Sequence, residues 1–357
     1  MEGKKVVYSN EYILQNGDRF DYLKFILAIF IVAVHTVPMG LYLRPILRIA
    51  VPIFFIMSSY FFFIKQKKSN SFEDCRHAMK GFAKRLLKLY FFWFVALLPL
   101  TVYTNGWYSV SLDTLLNIIL GFLFGNTFKA SWYIMALLLN IIFVWYATTK
   151  KVSNVLLFIL GVLEYIGCCM VSSYYSLAAS LPGFDAFYNG YVRIFSEPYN
   201  SFPCALLFIC IGKAMAENSI FLSKNVLLPL VAVFFALYFC EFYVTRHFGL
   251  AVADDCFFTL PVVSTLCFML VGQSVDWQGP KWRTARDARS CSTIIYCSHI
   301  SLASVLVIVG FHLGYGGYIC ENYLVLFLMT LLASLLLSFL IIRLEKTTHF
   351  KLLKYSH

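Results

Sequence analysis

The chain has 357 residues, of which 60% are hydrophobic and 13% charged, and a mean hydropathy of +0.75; a soluble domain carries about 25% charge. These values exclude a soluble globular protein and point to a chain that crosses a membrane several times. The net charge of +11 is a poor signal of nucleic-acid binding here, because excess Lys and Arg in a membrane protein collect on cytoplasmic connections.

Residues 1–20 lack the small-residue cleavage site that follows the apolar core of a secretory signal, so the first span is expected to persist. A bilayer crossing takes about 20 apolar residues. On that rule ten spans are predicted, at about 22–40, 45–64, 86–103, 131–148, 154–171, 202–217, 226–244, 257–275, 293–312 and 322–342. The run 114–128 is apolar but short and broken by glycine. It reads as a re-entrant or interfacial helix, or as an extension of the fourth span. Of the 29 Lys and Arg residues, twenty-two fall on the connections that share a side with the N-terminus and four on the opposite connections. The expected fold is therefore all-α: a polytopic membrane helical bundle of about ten transmembrane helices with both termini cytoplasmic. Residues 1–357 read as a single membrane domain, its spans ending near 342, with 343–357 as a short basic cytoplasmic tail. The largest outside loop, about 172–201, is long enough to fold over a cavity.

The stretch from Asp21 to Phe63 is the most informative. Lys24 and His35 lie in the first span and Arg48 in the second, and ionisable groups at such depth usually face a protein interior or a water-filled cavity. Eleven residues at about 100° each bring Lys24 and His35 onto one helix face, roughly 16 Å apart, which implies a polar path along that face. His35 is placed in the outer half of the membrane. Pro38, just after it, frees a helix carbonyl. An imidazole beside a guanidinium suits acyl transfer: His35 takes a proton from a hydroxyl or accepts the acyl group, and Arg48 steadies the oxyanion.

The basic connection from Lys65 to Lys88 ends in Arg85 and Lys88, which share a helix face as the third span begins. With Lys24 at the same level, they suit a phosphate-bearing donor arriving from the cytoplasm. Glu164 sits in mid-span, as a partner for a cation or part of a substrate path. Glu241 lies near the outer end of its span, where snorkelling to water accounts for it. Trp132 reads as an outer-interface anchor, and His299 as a packing or a functional histidine. Asp21, Glu164, Trp132 and His299 are the candidate supporting residues. The eleven cysteines show no CxxC pair and no zinc spacing, so no metal site is expected. Most read as small apolar fillers, with a disulfide between Cys256 and Cys320 left open.

Five motifs in order resemble the acyltransferase-3 family of integral-membrane acyltransferases. They are DYLKFILAIFIVAVH for its first helix, RIAVPIFFIMSSYFFF for its second, KRLLKLYFFWF for its basic third entry, SWYIMALLL for its fourth span and SCSTIIYCSHI for its late Ser–Ile-Tyr–His element. The resemblance runs from about residue 18 to 342. It implies that Lys24 and His35 take the family's Arg-x10-His positions and that Arg85 and Lys88 take its Arg-x-x-Arg positions. It implies a membrane O-acyltransferase moving an acyl group, usually acetyl, from cytoplasmic acyl-CoA to a hydroxyl of a cell-surface or lipid-linked glycan. On that reading acyl-CoA is a co-substrate, no cofactor is permanently bound, and the chain resides in a bacterial inner or plasma membrane. Lys replaces the family's Arg at 24 and 88, giving a point charge in place of a bidentate fork, and Ser59 stands where the family usually has Gly. A transporter or exporter of a small polar solute, or a membrane sensor or binding module, is the alternative. The two halves of the chain show no evident inverted repeat of the transporter kind.

Overall fold

The computed structural model describes residues 17–38, 42–108, 111–273, 282–347 and 352–357. Lys4, Lys5, Lys281 and Lys351 of the charge count lie outside the described residues. Every regular element among the described residues is helical. In chain order they are α1 (Asp18–Thr36), α2 (Arg44–Arg48), α3 (Ala50–Lys67), α4 (Phe72–Ala96), α5 (Leu98–Asn105), α6 (Leu112–Phe124), α7 (Ser131–Thr149) and α8 (Asn154–Met170). There follow α9 (Tyr175–Ala179), α10 (Phe184–Phe195), α11 (Pro203–Asn218), α12 (Lys224–His247), α13 (Leu260–Gly272), α14 (Trp282–His312), α15 (Gly316–Glu321) and α16 (Tyr323–Thr347).

The boundaries follow local chemistry. Ser71, Ser111 and Ser153 accept from the backbone N–H groups of Asp74, Thr114 and Val155 at 3.1, 3.1 and 3.2 Å, which satisfies donors that a helix start leaves open. Gly125 closes α6 with φ +83°, a left-handed conformation that costs glycine little. A Cβ there would also lie 2.8 Å from Trp132 Cα. This turn separates α6 from α7, so the 114–128 run does not lengthen the fourth span.

A helix stands at each of the ten predicted spans. Among the described residues, six helices are long and apolar enough to cross a membrane, or seven if α4 and α5, bent by 72° at their junction, form one broken span. The count of ten is thereby reduced to the coarser statement: a multi-pass helical membrane protein. Helices α8 and α13, with 17 and 13 residues, are short. Helix α1 carries Asp18, Arg19, Asp21 and Lys24 in its first turns.

The core centres on α11, which buries twelve of its 16 residues and packs between α3 and α8. Two glycines permit this closeness. A Cβ on Gly212 would lie 2.4 Å from the Ile56 carbonyl of α3, and one on Gly161 of α8 would lie 2.9 Å from Leu207 Cα of α11. Ser59 Oγ ties the α3 contact further by donating to Ile209 O at 2.6 Å. Lys213 is buried and meets Glu217 at 2.7 Å and Asn154 at 2.6 Å. A second packing unit joins α1 to α14, and α14 to α16. Leu332, Leu336, Phe339 and Leu340 on α16, and Leu228, Val233 and Leu237 on α12, are exposed, as lipid-facing surfaces require. All eleven cysteines, Cys256 and Cys320 among them, are free.

Candidate active site

The end of α1 begins the site. Pro38 has no N–H, so the Val34 carbonyl lacks its helical donor. Arg44 occupies that position, donating through Nη1 to Val34 O at 2.8 Å and to Val37 O at 3.0 Å. Its Nη2 donates to Asp254 Oδ1 at 3.0 Å, and its Nε forms a close ion pair with Asp254 Oδ2. Arg48 lies four residues on, along the same face of α2. Its Nε donates to Asp254 Oδ1 at 3.1 Å, its Nη2 also meets that oxygen, and its Nη1 donates to Asp255 Oδ1 at 2.6 Å.

Two guanidiniums and two carboxylates thus compensate each other at the Pro38 end of α1. Burial by itself pushes the Asp254 carboxyl up, but Arg48 and Arg44 hold it below the usual carboxylate range. Asp255, for which burial outweighs the attraction of Arg48, is raised. Arg44, one of the four cations counted on the connections opposite the N-terminus, is buried. Arg48, read as an assisting cation, is engaged by both aspartates. The aspartates themselves were missed. Their signal in the sequence is two adjacent acids in a chain with only 18 Asp and Glu.

This lock frames a cavity of about 170 Å³. Its walls include His35 of α1, Arg44 and Arg48 of α2, Trp132 of α7, Tyr165 of α8, and His299 and Tyr296 of α14. Tyr199 and Asn200, from the large 172–201 connection, reach the same cavity. His35 remains accessible to water although Val34 and Thr36 beside it are buried. Its ring centre lies 5.2 Å from that of His299. His299 is 1% exposed, and its Nδ1 lies 3.1 Å from Ile295 O and 2.7 Å from Tyr296 O. The aromatic wall is tied down by Tyr296 OH, which donates to Ala130 O at 3.0 Å, and by the packing of Tyr133 on Tyr296 at 5.2 Å between ring centres. Trp132 packs on Phe55 at 6.2 Å and faces the cavity, so it is a lining residue in place of the predicted surface anchor.

The other end of α1 holds a separate group of charges. Lys24 pairs with Asp21 at 3.2 Å, and Arg289 of α14 meets the other oxygen of Asp21 at 3.4 Å. Arg85 is exposed and lies over the Phe82 ring at 5.5 Å. Lys88 donates to Tyr355 OH at 3.1 Å and sits over that ring. Trp93 Nε1, one turn deeper, donates to Ser356 O at 2.9 Å, so residues 355–356 lie against α4. Arg289 was missed as a member of this group; only the fold brings α14 beside α1.

The cavity itself does not extend from one end to the other. The cavity reaches no further down α1 than Ile31, and Leu27, Ala28 and Ile31 are buried. The predicted polar face from Lys24 to His35 is closed by this packing. Glu164 is not among the residues lining the cavity; it is half-buried, and its Oε2 has no hydrogen-bond partner among the described residues. Glu241 does not snorkel. It accepts from Phe258 N at 2.7 Å, from Thr259 N at 2.9 Å and from Tyr174 OH at 2.8 Å, which fixes the approach to α13.

A family model described as "Acyltransferase domain" matches residues 18–343. An amino-acid racemase of Enterococcus faecalis is 27% identical over 342 residues, covering 90% of this chain and 44% of that protein. A serine/alanine racemase of Enterococcus gallinarum is 27% identical over 265 residues, covering 70% of this chain and 36% of its own length. A further amino-acid racemase of Enterococcus faecalis is 23% identical over 345 residues, covering 91% and 46%. The chain spans less than half the length of these curated relatives. No solved structure matches it.

Proposed function

Because the chain belongs to the acyltransferase-3 family, we propose that it is a membrane O-acyltransferase that moves an acetyl or similar acyl group from cytoplasmic acyl-CoA to a hydroxyl of a cell-surface or lipid-linked glycan. The observation that carries the reading is His35: a water-accessible imidazole in a cavity at one end of α1, with cations gathered at the other end. His35 takes the proton of the acceptor hydroxyl as the oxygen attacks the thioester carbon. Lys24, Arg85 and Lys88 hold the donor's phosphates, with Arg289 as a fourth cation, and the packing at Leu27, Ala28 and Ile31 parts to let the thioester arm reach His35. Arg48 acts through the aspartates it holds, keeping the cavity wall in register beside His35. The cavity is smaller than the roughly 300 Å³ of ordinary ligand pockets, so it takes the reacting hydroxyl and acyl group while the rest of the acceptor stays outside. The bacterial cell membrane is the proposed location.

The test is acyl transfer by the purified protein in vesicles, with labelled acetyl-CoA, followed by mass spectrometry of glycans from cells with and without it. His35→Ala should lower transfer at least ~100-fold, as loss of a general base does, with insertion into the membrane unchanged. Glycans that keep their acyl mass in that mutant sink the mechanism.

The small cavity and the amino-acid names of the relatives favour one second reading: a site for a small polar solute such as serine, bound or transported. Uptake of labelled serine into vesicles without any thioester consumption would select it.

A further inference from the structure

The pair of imidazoles carries an assignment for His299. Main-chain carbonyls only accept hydrogen bonds, and Nδ1 of His299 faces two of them, Ile295 O and Tyr296 O. Its proton therefore resides on Nδ1, and Nε2 is a bare acceptor. That Nε2 is buried and has no hydrogen-bond partner among the described residues, an arrangement that costs free energy unless something uses it. The nearest ring is His35, 5.2 Å away between centres and tilted by 44°. Two imidazoles joined by one N–H···N bond, with donor and acceptor about 3 Å apart, have centres roughly 5 Å apart, so the ring separation suits the bond and rotation of the rings can complete it.

We propose that His299 is the positioning residue for His35: its Nε2 accepts the N–H of His35, which fixes His35 as one tautomer with the lone pair of its other nitrogen facing the acceptor hydroxyl. This deepens the acyl-transfer reading and rests on it. In the reaction, the acceptor O–H bond breaks and its proton goes to the free nitrogen of His35. The acceptor oxygen bonds the acyl carbon, the thioester C–S bond breaks, and the proton leaves on the thiolate. Throughout, His299 holds the opposite N–H of His35 and shares the charge of the imidazolium. The other charged groups around His35 are Arg44 and Arg48 on α2, Lys129 ahead of α7 and Asp255 ahead of α13. Arg44 and Arg48 are held by Asp254, and Arg48 also by Asp255, which leaves His299 as a neutral acceptor beside the ring.

The experiment reads His35 directly, without the acyl-transfer assay. Diethyl pyrocarbonate acylates neutral imidazole, and mass spectrometry locates the adduct. At pH 7 His35, which is water-accessible, should react and His299, which is buried, should not. His299→Phe keeps the ring volume and removes the acceptor; one ordinary hydrogen bond of about 1 kcal/mol biases the tautomers about five to one, so its loss should slow modification of His35 by up to about two-fold. His299→Gln restores an acceptor at the same reach and should return the rate to near wild type. An unchanged rate in His299→Phe, or equal slowing in both variants, overturns the assignment. Should His299→Phe not fold, nitrogen chemical shifts of His35 in the wild-type protein decide: one N–H tautomer supports the pair and a mixture overturns it. Absence of acyl transfer by the wild type would remove the proposed activity and leave this measurement standing.

Discussion

Asp254 accepts from Arg44 and Arg48 together and is itself inaccessible to solvent. Removing one partner from such a group leaves buried guanidiniums uncompensated, which costs on the order of 3 kcal/mol. Asp254→Asn should therefore lower stability in detergent at pH 7 by about that amount. The sign of the pH dependence follows from the carboxyl being held below its usual range. Its contribution is complete above the unfolded value, about 3.9, and is lost as pH falls through the folded one. Wild type and variant should converge in denaturation midpoint as pH is taken below about 4. The raised carboxyl of Asp255 has the opposite dependence, and because the Asp254 charge is one cause of that rise, Asp254→Asn also lowers it toward the ordinary range, so Asp255 adds its own part to the difference. A gap that persists unchanged into acid would contradict the lock.

At the scale of elements, α11 crosses α3 and α8 at glycines, and the two crossings can be tested against a control in the same bundle. Gly212→Ala puts a methyl 2.4 Å from the Ile56 carbonyl; backbone cannot swing aside as a side-chain tip can, so about 1–3 kcal/mol is lost to overpacking. Gly167→Ala in α8 meets nothing within 4 Å and should leave the thermal midpoint unchanged or raise it slightly, since alanine favours helix. Equal behaviour of the two variants would mean that α11 does not pack as closely as described. The same crossing explains Ser59. Its hydroxyl is used on Ile209 O, so a glycine there is not needed for closeness, because Gly212 supplies it from the facing helix.

For the whole molecule, helix positions were legible because a spanning run is a local property: its length and apolarity are contained in consecutive residues. Pairing was not legible. Arg48 meets Asp254 across 206 positions of chain, and Arg289 meets Asp21 only because α14 lies on α1. A lone guanidinium in an apolar run thus read as a free catalytic cation, when its charge is met by a distant loop. Orientation is the remaining property of the whole chain that charge addresses. The basic α3–α4 connection and the Lys24 end of α1 belong to the cation-rich side, and the 172–201 connection, through Tyr199 and Asn200, to the His35 end. An epitope inserted between Ser69 and Asn70 should be reached by antibody only after cells are permeabilised, while one inserted between Leu181 and Pro182 should be reached in intact cells. Both sites are exposed or partly exposed turns, so insertion leaves the core packing untouched. The reverse pattern would put His35 at the cytoplasmic side, where a thioester donor and its acceptor would meet without any transfer across the membrane.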